Sequence, residues 1–521
     1  MPDTTLETPD ALALKGNSDP GAGGSTRTRK RPGPFATAWL VGLGLLVAAE
    51  LLLRWASTRP GYDPYGWLDW GYQTLHGRLD LGGAPSWKPF SYIPNVVYAL
   101  AGHYALHLWM ITAVAVSLAG AVFAGHIAYR LTSRDRRGEL PRGRFDWPAI
   151  AAAVVAGAAV LGIQDGSLSS PGSMSYFHYV LSAQSDSMIV TFCLAAIDMM
   201  LARRLAWAWW LAVYAGLGRP EVFAFTGLYG LWILWRKPNM RWMVIAGALI
   251  TVFFWFGVPT ITNGKPNVAG QLALKSPREL HKNKILGTIG RFTGLNFILV
   301  EVAALVAVIL AVLRRDRAVL LVAGAAVLWV IVEIAFVLHG FPGVQRYVFE
   351  AGAVVGVLAG VAVGWLALDA RRFHPSLPRW LGIPLAVVFV LACLPHARAL
   401  ASREHRDIVH ERSRTTRILQ LGSFINALGG PRRIEACGGA LLNVEYVSIM
   451  GWYLHVNTGQ VAYQPLKVLK RSNPVIYFIL LPNGWAAKPL RPQNAKVAGC
   501  ASLNALYVPT AHHPGGVLIR K

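Results

Sequence analysis

Acidic charge is scarce in this chain. Of 521 residues only 26 are Asp or Glu, against 50 Lys and Arg, and the four charged types together make 15% of the sequence. Soluble domains carry about 25% charged residues, so a water-facing globule is excluded as the main body. Cysteine is scarce as well, with 4 in the chain, and no CxxC, HExxH or paired-histidine spacing points to zinc. There is no P-loop and no dinucleotide fingerprint, which argues against a nucleotide site. What is abundant is apolar sequence. Hydrophobic residues make 54% of the chain, mean hydropathy is +0.41, and long apolar runs recur along most of its length, the composition of a polytopic membrane protein.

The net charge of +24 would suggest nucleic acid in a soluble protein. Here much of the excess sits in short loops between apolar runs, where cytoplasmic Lys and Arg set orientation, and no nucleic-acid motif is present. Residues 1–35 are polar, rich in Gly, Pro, Ser and Thr, and end in Arg27, Arg29, Lys30 and Arg31. They read as a disordered cytoplasmic tail, with no small-residue cleavage site of a signal peptide. About eleven spans follow in residues 36–395, near 36–53, 103–131, 148–163, 187–201, 206–217, 222–235, 242–258, 295–313, 318–338, 348–368 and 380–393. The short fifth and sixth form a pair with basic outer ends, Arg203-Arg204 and Arg236-Lys237, so their tip, Gly216 to Glu221, faces the other side. Starting inside, this count puts the C-terminus outside.

Hydropathy drops after about residue 395. Arg414–Leu428 has helical periodicity, while Ile434–Cys437, Val475–Leu481 and Ala505–Val508 read as short strands. Residues 396–521 therefore read as a small extracytoplasmic α/β domain. Cys437 and Cys500 lie in it. Outside the cytoplasm they are free to form a disulfide, and two buried thiols are the alternative.

Chemistry is suggested at the outer face. After the first span the chain reads Gly61-Tyr62-Asp63-Pro64-Tyr65-Gly66-Trp67-Leu68-Asp69-Trp70-Gly71-Tyr72, and it continues to Trp87-Lys88-Pro89-Phe90. Two carboxylates among aromatics suit a sugar-handling site: a carboxylate can take a proton from a hydroxyl, and aromatic rings suit apolar sugar faces. An interfacial aromatic belt with two solvated acids is the plain alternative. Arg219 and Glu221 flank Pro220 at the tip of the short pair; they pair with each other, or present a guanidinium to phosphate and a carboxylate to a sugar hydroxyl. Gln345-Arg346-Tyr347 opens the tenth span on the same side. The loop 265–291, with Lys265, Lys275, Arg278, His281, Lys282, Lys284 and Arg291, is basic on the outer side against the orientation bias. Either a bound phosphate or attraction to anionic lipid accounts for it. Asp198, Glu301 and Glu333 lie within spans, where charges face cavities or partners, or snorkel at span ends.

The order of these features resembles the GT-C integral-membrane glycosyltransferases, particularly actinobacterial arabinofuranosyl- and mannosyltransferases. It runs from a first span through Asp-Pro-Tyr-Gly-Trp-Leu-Asp-Trp-Gly and a later Gly-Arg-Leu to Gly-Arg-Pro-Glu, then Arg-Tyr-Val-Phe before a late span. The resemblance covers residues 36–395. It implies a polyprenyl-phosphate-linked sugar as donor, a cell-envelope glycan, lipid or protein as acceptor, and an essential carboxylate in the first outer loop as base. Asp63 matches that position, with Asp69 the second choice, because Pro64 stands where the family commonly has a second acid. Arg219, Arg346, Lys275, Arg278, His281, Lys282 and Lys284 are then candidates for the donor phosphate, and Trp67, Trp70, Trp87, Lys88, Glu221 and Tyr347 for sugar or acceptor. A divalent cation, Mg or Mn, is compatible with the site and nothing demands one. A transporter or flippase for lipid-linked glycans, or a non-catalytic assembly subunit, would use the same basic cavity without chemistry. Matched inverted repeats would favour the transporter, and none is evident.

Overall fold

The computed structural model describes residues 34–82, 87–133, 146–165, 174–274, 279–280, 283–373, 376–464, 475–490, 500–508 and 516–520. The tail and the expected site residues Lys275, Arg278, His281 and Lys282 lie outside the described residues. Met1–Leu43 is one unit, of which only the start of α1 (Pro34–Ala56) is described, and Gly44–Lys521 is a second.

Helices dominate because the apolar runs are long and largely free of turn chemistry, and a helix satisfies every backbone group internally where no water can. After α1 come α2 (Tyr62–Leu75), α3 (Pro89–Ala99), α4 (Ala105–Thr132) and α5 (Trp147–Leu161). A two-stranded ribbon, β1 (Gln164–Asp165) and β2 (Met174–Ser175), leads into α6 (Tyr176–Leu181), α7 (Ser185–Leu201), α8 (Leu205–Gly216) and α9 (Val222–Arg236). A bent helix follows, α10 (Arg241–Val252), a π-helical turn at Phe253–Gly257, and α11 (Val258–Asn263). Then come α12 (Val268–Ala273), α13 (Lys284–Phe292), α14 (Ile298–Arg314), α15 (Arg317–Leu338), α16 (Phe349–Leu368) and α17 (Gly382–Ala427). Among the described residues six helices are long and apolar enough to cross a membrane: residues 37–56, 102–132, 238–263, 317–338, 345–368 and 379–427. α5, α8 and α9 are shorter apolar helices. At 1.5 Å per residue α8 spans about 18 Å, well short of the ~30 Å hydrocarbon core.

The centre of the bundle is α16, packed against α4, α5, α7, α14 and α15. Its sequence places Gly352, Gly356, Gly360 and Gly364 four apart on one stripe. A Cβ at Gly360 would stand 2.4 Å from the Ala152 carbonyl oxygen, so only glycine lets α5 approach this closely. Without a hydrophobic drive between helices in lipid, such close backbone packing is what holds them together.

α17 has 46 residues, about 69 Å of helix. Its apolar start is followed by a polar remainder that runs past any bilayer. The boundary drawn at residue 395 falls inside this helix. Hydropathy drops there, but the backbone stays helical through Pro395, whose ring removes one backbone hydrogen bond. Beyond it, α18 (Pro431–Ala436) and α19 (Val447–Leu454) accompany a five-stranded sheet of β3 (Ala440–Leu441), β4 (Val475–Leu481), β5 (Gly484–Leu490), β6 (Ala505–Val508) and β7 (Val517–Arg520). The strands lie in that order. β3 and β4 run parallel and the other pairs antiparallel. The strand expected at Ile434–Cys437 is instead the end of α18: Gly429 and Gly430, both at positive φ, turn the chain, and Pro431 starts a helical turn. Cys437 and Cys500 are disulfide-bonded, with Cα atoms 5.7 Å apart. The bridge joins the α18 end to the turn before β6 across a 63-residue separation.

Candidate active site

The aromatic loop is a helix, α2, and its rings point inward. Trp67 and Trp70 are wholly buried and Trp87 nearly so. Trp67 meets Trp109 edge-on and Trp70 meets Trp87, while Trp87 Nε1 donates to the Phe254 carbonyl. These rings, expected as sugar platforms, are core. Their indole bodies fill the space between α2 and its neighbours. Gly71 lets α2 lie directly on α3: a Cβ there would be 2.3 Å from the Asn95 carbonyl oxygen.

The two acids of α2 part ways. Asp69 is fully buried. Its carboxylate accepts from Gln73 Nε2 at 3.2 Å and Thr458 Oγ1 at 3.4 Å, tying α2 to the segment after α19. Burial is the largest influence on it and pushes its pKa up to about 7, with the hydrogen bonds pulling the other way. Asp69 therefore forms an inter-element contact in this structure. Asp63 sits in the first turn of α2, half-buried, where a negative charge is favoured by the helix dipole. It lies within electrostatic reach of Lys88 and Arg346.

Those two cations belong to a buried cluster. Asp186, in the first turn of α7, accepts from Arg219 Nη2 and lies 3.7 Å from Lys88 Nζ and 3.9 Å from Arg346 Nε. Arg219 Nε is 3.4 Å from Glu350 Oε1, its Nη1 is 4.0 Å from Glu221, and its Nη2 donates to the Arg346 carbonyl at 3.0 Å. Lys88 Nζ donates to Ser185 Oγ at 2.8 Å. The ring of Tyr347 lies 4.6 Å from the Arg219 guanidinium and 5.7 Å from that of Arg346. Tyr179 lies 5.8 Å from Arg346 and donates to Asp165. Three cations thus face three carboxylates in a largely enclosed cluster.

Arg219, expected to meet a phosphate, is 3% exposed and turned to protein partners; Glu221 is equally enclosed at 7%. Arg346 keeps 20% and Lys88 11% of their side chains exposed. The available positive face is therefore Arg346 with Lys88, and Arg219 anchors it from behind. α13 packs on α15 and on the turn bearing Arg346. Lys284, at its start, is paired to Glu279 at 2.7 Å. Glu333 is buried on α15 near Glu221, Arg219 and Glu350. Asp198 is held by His126 at 3.0 Å and Arg130 at 3.1 Å on α4, so it is an interhelical tie and not a snorkelling acid.

Asp186 and Glu350 went unread in the sequence. Asp186 stands one residue before the expected start of its span, and Glu350 inside an apolar span, the usual signal of a functional acid. Glu350 also borders a cavity of about 160 Å³ between α7, α8, α9, α15 and α16, otherwise lined by apolar and aromatic groups such as Cys193, Ile197, Phe225, Tyr229, Trp329 and Val354. The cavity therefore begins at the charged cluster and runs among apolar helices.

No family model matches the chain, and no curated protein does. Solved structures do. ArnT from Cupriavidus metallidurans bound to undecaprenyl phosphate superposes with a TM-score of 0.51 at 16% identity, covering 86% of this chain and 93% of that one. The fold resembles that of ArnT. Its apo state gives a TM-score of 0.50 at 16% identity over 85% and 93%. The apo oligosaccharyltransferase from Archaeoglobus fulgidus is more distant, with a TM-score of 0.42 at 12% identity over 83% and 65%. At these identities the ArnT likeness speaks for the fold alone.

Proposed function

We propose that the protein is a membrane glycosyltransferase that moves a sugar from a polyprenyl-phosphate donor to a cell-envelope glycan, lipid or protein acceptor on the outer face of the membrane. In this reading the N-terminus is cytoplasmic and the C-terminal sheet extracytoplasmic. One arrangement carries the proposal: Asp63 lies within electrostatic reach of the partly exposed Arg346 and Lys88, and an apolar cavity borders the same cluster at Glu350. The carboxylate of Asp63 accepts the acceptor hydroxyl proton as the oxygen attacks the anomeric carbon. The bond from that carbon to the phosphate oxygen breaks, and the charge left on the polyprenyl phosphate falls to Arg346 and Lys88, whose geometry is fixed in advance. The apolar cavity suits an isoprenoid tail. The undecaprenyl phosphate held by ArnT supports a donor of this kind. Purified protein given a synthetic lipid-phosphate sugar and an envelope acceptor should release lipid phosphate in step with glycan formed. Binding of the lipid with no transfer to any envelope acceptor would count against an enzyme and for a carrier.

A further inference from the structure

We propose a divalent-cation site at His178, Asp407 and Glu411, where α6 meets the polar part of α17. Nothing in the glycosyltransferase reading uses these residues. Glu404, Asp407 and Glu411 recur at positions three and four apart, so α17 presents them on one face. His178 Nδ1 lies 2.7 Å from Asp407 Oδ2. One ligand atom from each of His178, Asp407 and Glu411 falls within 4.8 Å of the others. A Zn²⁺ bound at about 2.0–2.2 Å to imidazole nitrogen and carboxylate oxygen needs ligand separations of about 3.3 Å, so rotamer adjustments of about 1 Å would close the site.

An independent feature points to an occupant. The hydroxyl of Thr58 is 7% exposed and has no hydrogen-bond partner. It borders a void of about 10 Å³ shared with His178, Ser182, Asp407 and Glu411, about the volume of one small ion or water. Buried polar atoms are seldom left unsatisfied. Two cations limit the affinity: Arg59 borders the void and Arg414 pairs with Glu411. One nitrogen and several oxygen donors suit Zn²⁺ ahead of Mg²⁺ or Ca²⁺. The site would pin three segments together. Thr58 precedes α2 and Asp63; His178 lies on α6, which leads through Ser182 to Asp186; and α17 already grips the first segment through Arg412 to the Trp55 and Ala56 carbonyls.

Full-length, untagged protein in detergent should be stripped with chelator, loaded with ZnCl₂ and desalted. The expected result is about one Zn²⁺ per chain by mass spectrometry, a raised thermal midpoint, and loss of both in His178→Gln and Asp407→Asn. No saturable Zn²⁺ on the wild type, or full occupancy in both variants, overturns the proposal. Should either variant fail to elute as a single species, X-ray absorption of the loaded wild type decides. One imidazole with oxygen neighbours supports the site, and a shell without imidazole refutes it.

Discussion

Asp69 gives the most direct test of the geometry, because its two possible roles have opposite signatures. It is fully buried and touched only by hydroxyl and amide donors, and burial raises its pKa to about 7 from the ordinary 3.8. A carboxyl whose pKa rises on folding binds its proton more tightly in the folded state. Between about pH 4 and 7 the unfolded chain loses that proton while the native one keeps it, so this group's contribution to stability falls as pH rises through that window and is flat above it. The gap between 3.8 and about 7 corresponds to about 4 kcal/mol of cost at pH 8. Asp69→Asn keeps the shape and the acceptor oxygen but cannot ionise. In detergent, thermal unfolding followed by tryptophan fluorescence should show a variant more stable than wild type at pH 8 by several degrees, equal to it or weaker near pH 5, and with a flatter profile between. Turnover should change little. A variant weakened equally at every pH would refute the buried-acid argument, and one that folds normally but has lost transfer would make Asp69 the base.

Asp63→Asn should cost about 10²–10⁴ in turnover, the range for losing a general base, with the thermal midpoint unchanged; full activity in a working transfer assay would remove Asp63 from the chemistry. Asp186→Asn should lower the midpoint of the free protein, since three cations share that carboxylate, and should enlarge the stabilisation that added polyprenyl phosphate gives. An unchanged ligand-induced shift would separate the cluster from the phosphate. Gly71→Ala should destabilise by about 1–3 kcal/mol, the usual range for overpacking, because its methyl would fall 2.3 Å from a backbone oxygen; a midpoint equal to wild type would show that α2 and α3 are not held this closely.

Helix positions were legible from the apolar runs, although among the described residues six helices, against about eleven expected spans, are long and apolar enough to cross a membrane. The helices α4, α7, α9 and α15 begin and end within about two residues of the apolar limits read from the sequence. The short pair was visible from Arg203-Arg204 and Arg236-Lys237 at its ends. What failed was orientation within an element. A tryptophan on a polar-looking segment reads equally as belt, platform or core, and only the packing of α2 on α3 and α4 shows Trp67 and Trp70 to be core. Pairings between distant segments failed for the same reason. His178 and Asp407 are 229 positions apart, with no spacing motif to join them. Ile434–Cys437 was misread because four residues carry too little periodicity to outweigh the Gly-Gly-Pro before them.

The cluster's ion pairs set Arg219 apart from Arg346 and Lys88. Buried charges persist only when paired, since desolvation costs several kcal/mol per ion. Arg219 meets that condition fully, with Asp186 on one side and Glu350 on the other. Lys88 and Arg346 share the Asp186 carboxylate with it, at 3.7 and 3.9 Å, and both lie within electrostatic reach of Asp63; burial lowers the Lys88 pKa. Both keep part of their side chains exposed, so in the proposed reaction a donor phosphate would reach these two before Arg219. In the proposed reaction the base would stand at the rim of this cluster, and Asp63 is half-buried in the first turn of α2, whereas Asp69 is fully enclosed.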